Sequence, residues 1–340
     1  MNVPQSRQAA AQVLDGVAPH DIPDSVFASP EPVLLKGLIA GWPAVAHCNP
    51  SIDSAHRYLA RFWTGDPVTV YVGDGGIDGR FFYNEDFTGF NFRAGTAPLN
   101  QVFQKLSESA GSGPPSAIYV GSTPVDQWLP GFRAENDIRL PVENGLASFW
   151  LGNRTRISAH FDFPDNVACV VAGRRRFTLF PPEQVENLYV GPIDRTPSGQ
   201  AISVVDFAKP DFERFPKFRK ALDAAKVFEL DAGDAIFIPS MWWHHVESLS
   251  PFNLLVNYWW CTSPQAMGSP MTALMHGILA LRDLPPRQRA AWKHLFEYYV
   301  FDADASVCEH IPAPGRGCLA PLDDAGARQL RAELLNKMNR

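Results

Sequence analysis

From Ala117 onward, apolar and polar positions fall into short runs: AIYVG, ASFWLGN, TRISAHFD, NVACVVAG, RRFTLFP, KVFELDAG, DAIFIP, HHVESL and NLLVNYWW. Most are bounded by Gly, Pro, Asp or Asn, the residues that end strands and open turns. So many short strands in succession predict an antiparallel sandwich or barrel rather than βαβ units. Upstream the pattern is mixed. A short helical stretch is expected around Gln5 to Leu14, and a buried strand in PVLLKGLIAGWPAV enters a turn at Gly41-Trp42-Pro43. A helix from Ser54 to Trp63 then precedes the strands VTVYVG and RFFYN, and a second helix runs from about Leu99 to Glu108. The strand series is interrupted from Pro182 to Ala225 by a long insertion with spaced prolines, and a loop of that length in a compact domain is usually functional or an interaction surface. After Cys261 the period becomes helical, in SPMTALMHGILALRDL, PPRQRAAWKHLFEYYVF and DDAGARQLRAELLNKMNR. Helices apolar on more than one face must bury against the barrel or another subunit, and a homodimer through them is expected. The expected organisation is one domain over residues 1–262, with its core at about 117–262 and an α/β extension at 1–116, followed by a helical region at 263–340.

Composition narrows the classes. With 340 residues, 46% of them hydrophobic, the chain can bury a large core without disulfides. The five cysteines are odd in number, scattered and never spaced as CxxC, so neither a disulfide framework nor a zinc knuckle is expected, and a reducing cytoplasm suits them. No stretch approaches the roughly 20 apolar residues that span a bilayer, so a soluble protein is expected. A net charge of −6, with basic residues dispersed apart from Arg174-Arg175-Arg176, argues against a nucleic-acid partner.

The chemistry concentrates in two segments. In SAHFDF, His160 and Asp162 lie two apart at the end of a predicted strand, so their side chains point the same way and can share one metal. Much further along, PSMWWHHVESL offers His244 and His245; neighbours on a strand face opposite ways, so one of the two can reach that metal. Two imidazoles and a carboxylate form the facial triad typical of non-haem Fe(II) oxygenases, with positions left open for a bidentate 2-oxo acid and O2. A closed four-ligand zinc site would leave none. A buried co-substrate carboxylate needs a cation, for which Arg174, Arg175 and Arg176 are candidates.

The order HFD, GRRRFTLFPPEQ, GDAIFIPSMWWHHVES and NYWW resembles the cupin-like branch of the Jumonji C (JmjC) dioxygenases, which includes the asparaginyl hydroxylase called factor inhibiting hypoxia-inducible factor. The resemblance runs from about Pro32 to Trp260. It implies a double-stranded β-helix (jelly-roll or cupin) core, mainly β with flanking helices, and Fe(II), 2-oxoglutarate and O2 as cofactor and co-substrates. It also implies His160, Asp162 and His244 as metal ligands and catalytic centre, leaving His245 as a packed or hydrogen-bonded neighbour. Arg175 falls where relatives usually carry a lysine for the co-substrate. Tyr119, Asn166 and Asn257 match positions near co-substrate and metal, while Trp259, Tyr83 and Asn84 match positions lining the substrate side. One departure is Ile157, which stands where relatives often have a threonine hydroxyl, so Ser158, Tyr119 or another donor would have to supply that bond.

The aromatic cluster Trp242, Trp243, Tyr258, Trp259 and Trp260 is expected either to wall the site or to form ordinary core. Three functions follow: a hydroxylase acting on a side chain of a protein or peptide, an N-methyl lysine or arginine demethylase of the same chemistry, or a cupin-like binding protein without turnover. The intact ligand set and Arg175 favour an enzyme.

Overall fold

The structure is a computed structural model that describes residues 12–109, 116–197, 199–264 and 266–339. The chain divides into two compact units, Met1–Cys261 and Thr262–Arg340.

Fourteen strands are found among the described residues, all in the first unit: β1 Gln12–Asp15, β2 Val33–Lys36, β3 Val68–Gly73, β4 Arg80–Phe81, β5 Phe92–Ala97, β6 Ala117–Pro124, β7 Leu146–Gly152, β8 Arg156–His160, β9 Asp165–Ala172, β10 Arg175–Phe180, β11 Lys226–Leu230, β12 Ala235–Ile238, β13 Trp243–Ser248 and β14 Asn253–Trp260. They form a nine-stranded sheet in the order β1-β2-β12-β9-β14-β7-β6-β3-β5 and a five-stranded sheet in the order β11-β10-β13-β8-β4. From β7 to β14, successive strands alternate between the two sheets, except that β10 and β11 pair with each other in the smaller sheet across the long insertion. This winding is the jelly-roll core. The β3 and β5 strands extend the larger sheet beyond β6.

Burial explains the strand compositions. NVACVVA in β9 is nearly continuous in apolar residues because both faces are covered. Ala168 and Val170 face the interior between the sheets with Phe177, Leu179, Ile236 and Leu255. Val167, Cys169 and Val171 face a second core shared with residues of the helices Pro43–Cys48, Ile52–Ala60 and Leu99–Ser109. Pro43 occupies the first helical turn, where its missing N–H is harmless, and Ser51 and Ser54 cap the next helix reciprocally. At the β9–β10 turn Gly173 has φ +79°, and a Cβ there would sit 2.4 Å from the Phe252 carbonyl oxygen. Only glycine fits that turn, which sets the phase of the three arginines that follow.

Two local expectations differ from what is found. The helix expected at Gln5–Leu14 lies largely outside the described residues, and its described end belongs to β1, which pairs in parallel with β2 from Gln12↔Val33 to Asp15↔Lys36. An available sheet edge outweighs the weak helical propensity of a short segment. In RFFYN only Arg80–Phe81 is strand; Tyr83 bridges back to Phe90 and closes a tight loop.

The second unit is helical, with Pro270–Leu281, Pro286–Phe296 and Asp324–Met338 as its longest helices. The first two have no buried residue, and Leu279 and Phe301 are 79% and 75% exposed. No helix among the described residues is long and apolar enough to cross a membrane.

Candidate metal centre and adjoining cavity

Strand β8 ends at His160, and in the antiparallel pairing with β13 His160 stands directly across from His244. Cross-strand partners share a face, so both imidazoles point between the sheets, with ring centroids 4.3 Å apart. Asp162 follows on the loop leaving β8, and its carbonyl accepts from the Met241 N–H at 2.9 Å. That bond ties the loop to the turn that opens β13, and brings Asp162 Oδ2 to 3.6 Å from His244 Nε2. One ligand atom from each of His160, Asp162 and His244 lies within 4.8 Å of the others, so the three could hold a metal ion.

Both imidazoles are oriented for that role. His160 Nδ1 lies 2.9 Å from the Ser158 carbonyl and His244 Nδ1 lies 3.0 Å from the Trp242 carbonyl. A carbonyl only accepts, so each Nδ1 carries the proton, leaving each Nε2 lone pair free toward the centre. Burial, followed by the nearby His160, pushes the His244 pKa down, and Asp162 only partly offsets this. His244 is therefore neutral, the form that binds metal.

Adjacent His245 faces the other side of β13. It pairs across with Thr178 and packs 4.5 Å from the Phe207 ring under the long insertion. It is buried, neither ring nitrogen has a partner, and burial with the Arg156 guanidinium lowers its pKa to about 3. The β8–β13 register slips by one residue here, so that two residues of β8, Ser158 and Ala159, stand opposite the single His245 in the ladder. This bulge lets Ile157, three residues before His160, also face inward, across from Val246.

The centre opens into a cavity of about 380 Å3. Arg175, Tyr119, Asn166, Asn257 and Trp259 line it together with the three candidate ligands, as do Ile157 and Ser158. Arg175 is 2% exposed and its Nε has no hydrogen-bond partner. Its neighbours behave differently: Arg174 pairs with Glu229 and Asp231, and Arg176 with Glu229 and Glu247, all on the outer face. Burial lowers the Arg175 pKa to about 10, so the guanidinium stays charged at neutral pH. Burial also raises the Tyr119 phenol, with the Arg175 charge opposing it, which keeps it a neutral donor. Trp259 Nε1 is a second buried donor with no partner. A charged guanidinium and unmet donors in one enclosed space fit a carboxylate-bearing ligand, which would satisfy them.

Other expected site residues lie elsewhere. Tyr83 and Asn84 are not among the cavity-lining residues. Tyr83 donates its hydroxyl to the Arg195 carbonyl at 2.7 Å, and Asn84 closes its own loop by accepting from the Gly89 N–H. Of the aromatic cluster, only Trp259 lines the cavity. Tyr258 and Trp260 alternate onto the opposite face of β14 and Trp243 onto the outer face of β13, while Trp242 packs in the inter-sheet core. A lining residue missed from sequence is Trp150 of β7, whose Nε1 donates to Asn257 Oδ1 at 2.6 Å. Its signal was present in FWLGN as a tryptophan two residues from Ser148, on the face that β7 turns to Asn257.

Comparison with known proteins agrees with this architecture. Human (Homo sapiens) HSPB1-associated protein 1 is 37% identical over 127 residues, covering 36% of this chain and 25% of that protein. Lysine-specific demethylase JMJ31 of Arabidopsis thaliana is 36% identical over 114 residues, covering 33% and 20%. The alignments thus span only about a quarter of the length of these relatives. The tRNA wybutosine-synthesizing protein 5 of Gallus gallus is 29% identical over 278 residues, covering 75% of this chain and 79% of that protein. The family model described as "Cupin-like domain" matches residues 19–266, which include both sheets' jelly-roll strands and all three candidate ligands, and the chain belongs to that family.

Proposed function

We propose that this chain is an Fe(II)- and 2-oxoglutarate-dependent oxygenase that hydroxylates a side chain of a protein or peptide. The observation that carries the reading is Arg175, a buried and unpaired guanidinium inside the cavity that also holds His160, Asp162 and His244. When bound, Fe(II) with 2-oxoglutarate and O2 supplies oxidative decarboxylation to succinate and CO2 coupled to oxygen insertion into a C–H bond. The chain's own residues hold and orient. His160, Asp162 and His244 would ligate the metal and leave coordination positions open, Arg175 would bind the distal carboxylate bidentately, and Tyr119 would donate to it. Asn166 and Asn257 would present amides near the metal, and Trp259 would wall the substrate side. Ile157 offers no hydroxyl, so Ser158, also on the cavity wall, is the donor proposed in its place. All five cysteines are free, in keeping with a reducing cytoplasmic setting.

The finer resemblance to the asparaginyl hydroxylase branch belongs to this proposal, as does self-association through the exposed apolar residues of the C-terminal unit. Sedimentation of the parent beside a Leu279→Glu, Phe301→Glu variant tests the latter; a monomeric parent overturns it. A second substrate reading, a tRNA nucleoside, is favoured by the name of the relative that spans three quarters of this chain, and opposed by a net charge of −6. Anaerobic addition of Fe(II) and then 2-oxoglutarate is expected to give a weak visible charge-transfer band that His160→Ala abolishes; no band in the parent overturns the oxygenase reading. Product mass then separates hydroxylation, a gain of oxygen, from demethylation, a loss of a methylene, on peptide and tRNA substrates.

A further inference from the structure

Three polar side chains on neighbouring strands of the larger sheet form a directed chain along one wall of the cavity. Trp150 Nε1 on β7 donates to Asn257 Oδ1 on β14 at 2.6 Å, and Asn257 Nδ2 lies 3.4 Å from Asn166 Oδ1 on β9. Asn166 and Asn257 are 6% and 2% exposed, so water cannot readily substitute for these partners. An amide side chain has an accepting and a donating end, and packing alone barely distinguishes them. An indole N–H can only donate. Trp150 therefore requires Asn257 to turn its oxygen toward β7 and its NH2 toward β9. Asn166 must answer with its own oxygen, which leaves the Asn166 NH2 for the cavity.

We infer that Trp150 is a positioning residue that sets the polarity of the Asn257–Asn166 pair, so that the cavity wall beside the candidate metal centre presents an N–H donor and selects an anionic oxygen ligand. The inference rests on the 2-oxoglutarate reading for the identity of that ligand. Trp150 also packs edge-on to Trp259, 5.7 Å between centroids at 89°, and 5.8 Å from the Tyr119 ring. Its ring is thus fixed from both sides, and its N–H direction with it. The wall then has one electrostatic sense: the Asn166 amide, the orphaned Trp259 Nε1 and the Arg175 guanidinium all offer hydrogens.

Two substitutions, one conservative and one isosteric, weigh the polarity against the packing. Trp150→Phe keeps a ring but removes the donor, so both amides are free to turn over. Asn257→Asp keeps the shape but accepts on both sides; Asn166 would then turn its NH2 toward position 257 and its oxygen to the cavity, facing the anion. Binding of 2-oxoglutarate to the metal-loaded 340-residue chain is measured anaerobically by the absorption band with Fe(II), and by calorimetry with redox-inert Zn(II). Loss of one oriented hydrogen bond predicts about threefold to tenfold weaker binding in Trp150→Phe, and reversal predicts more than about tenfold in Asn257→Asp. Asn257→Ala, which leaves a gap but no reversed dipole, falls between them. A merely structural role gives another order, with Asn257→Ala the most damaging and thermal stability falling in step with affinity. That order, or parent-like binding in both Trp150→Phe and Asn257→Asp, overturns the relay while leaving the oxygenase reading intact. A parent that binds metal but no 2-oxoglutarate overturns both.

Discussion

Three consecutive arginines, Arg174 to Arg176, lead into strand β10 and two consecutive histidines lie on β13, and in each case the two faces of the five-stranded sheet separate residues of one type into different roles. On the outer face, Arg174 and Arg176 meet Glu229, Asp231 and Glu247, and His245 is packed against Phe207. On the inner face, Arg175 has no carboxylate partner among the described residues, and His244 turns its Nε2 to Asp162 and His160. The outer arginines are satisfied by carboxylates of the folded chain, whereas the outer His245 is buried and neutral, with neither ring nitrogen partnered. The inner polar groups remain costly until a ligand arrives, since a buried charge without a partner is destabilising. A buried charge left without a carboxylate therefore marks the site more clearly than residue type does, and more clearly than the unpartnered but neutral His245.

The largest expected effect separates the adjacent histidines. His244→Ala should weaken metal binding more than the roughly 10–100-fold that an outer partner of a ligand typically costs, read by calorimetry with Zn(II). His245→Leu, which fills the outer pocket with apolar volume, should bind metal as the parent does. Equal loss in both would break the comparison between the faces. Next in size, Arg175→Met should weaken 2-oxoglutarate binding roughly 100-fold, for two lost charge-assisted bonds. The same substitution should make the ligand-free protein more stable, by about 1 kcal/mol or more, by removing an unpaired buried charge. Denaturant unfolding would sink the assignment if the methionine variant were less stable and still bound co-substrate.

How much of this was legible in the sequence follows from the same two strands. Alternation along a strand needs a phase, and in GRRRFTLFP the resemblance supplied it by matching Arg175 to the lysine of relatives; Phe177 and Leu179 face the inter-sheet core, while Phe180 is buried on the other face. The candidate ligands were legible in part by spacing, since His160 and Asp162 lie two apart at a strand end, whereas His244 was preferred to His245 by resemblance. Alternation says nothing about loops. Tyr83 and Asn84 lie in a segment whose course is fixed by its own turn and by the Tyr83–Arg195 bond, a contact 112 residues apart in sequence. Nor does it locate a bulge: on a regular strand Ile157 and His160 would face opposite ways, and the slip at His245 is what brings both inward. Trp150 was read as strand rather than site because its role depends on Asn257, two strands' pairing and 107 residues away.

The next effect in size is the stability of His245→Leu. Both ring nitrogens are buried without partners, so replacing the imidazole by a hydrocarbon should cost less than about 1 kcal/mol and could stabilise the chain. A larger loss would mean that a buried water bridges the imidazole to the Arg156 side, and the outer face would then also depend on a bound group.

The smallest effect tests the other half of the comparison. Arg176→Ala removes a half-exposed guanidinium that pairs with Glu229 and Glu247. Exposed ion pairs are worth about 0.2–1 kcal/mol and weaken with salt. Arg174 still pairs with Glu229 in the variant. The expected outcome is therefore a loss of stability under about 1 kcal/mol that shrinks further at high salt, with metal and 2-oxoglutarate binding unchanged. If Arg176→Ala instead weakened co-substrate binding as Arg175→Met does, the guanidinium facing the cavity would not be the one that recognises the carboxylate, and the division between the two faces would fail where it is most easily measured.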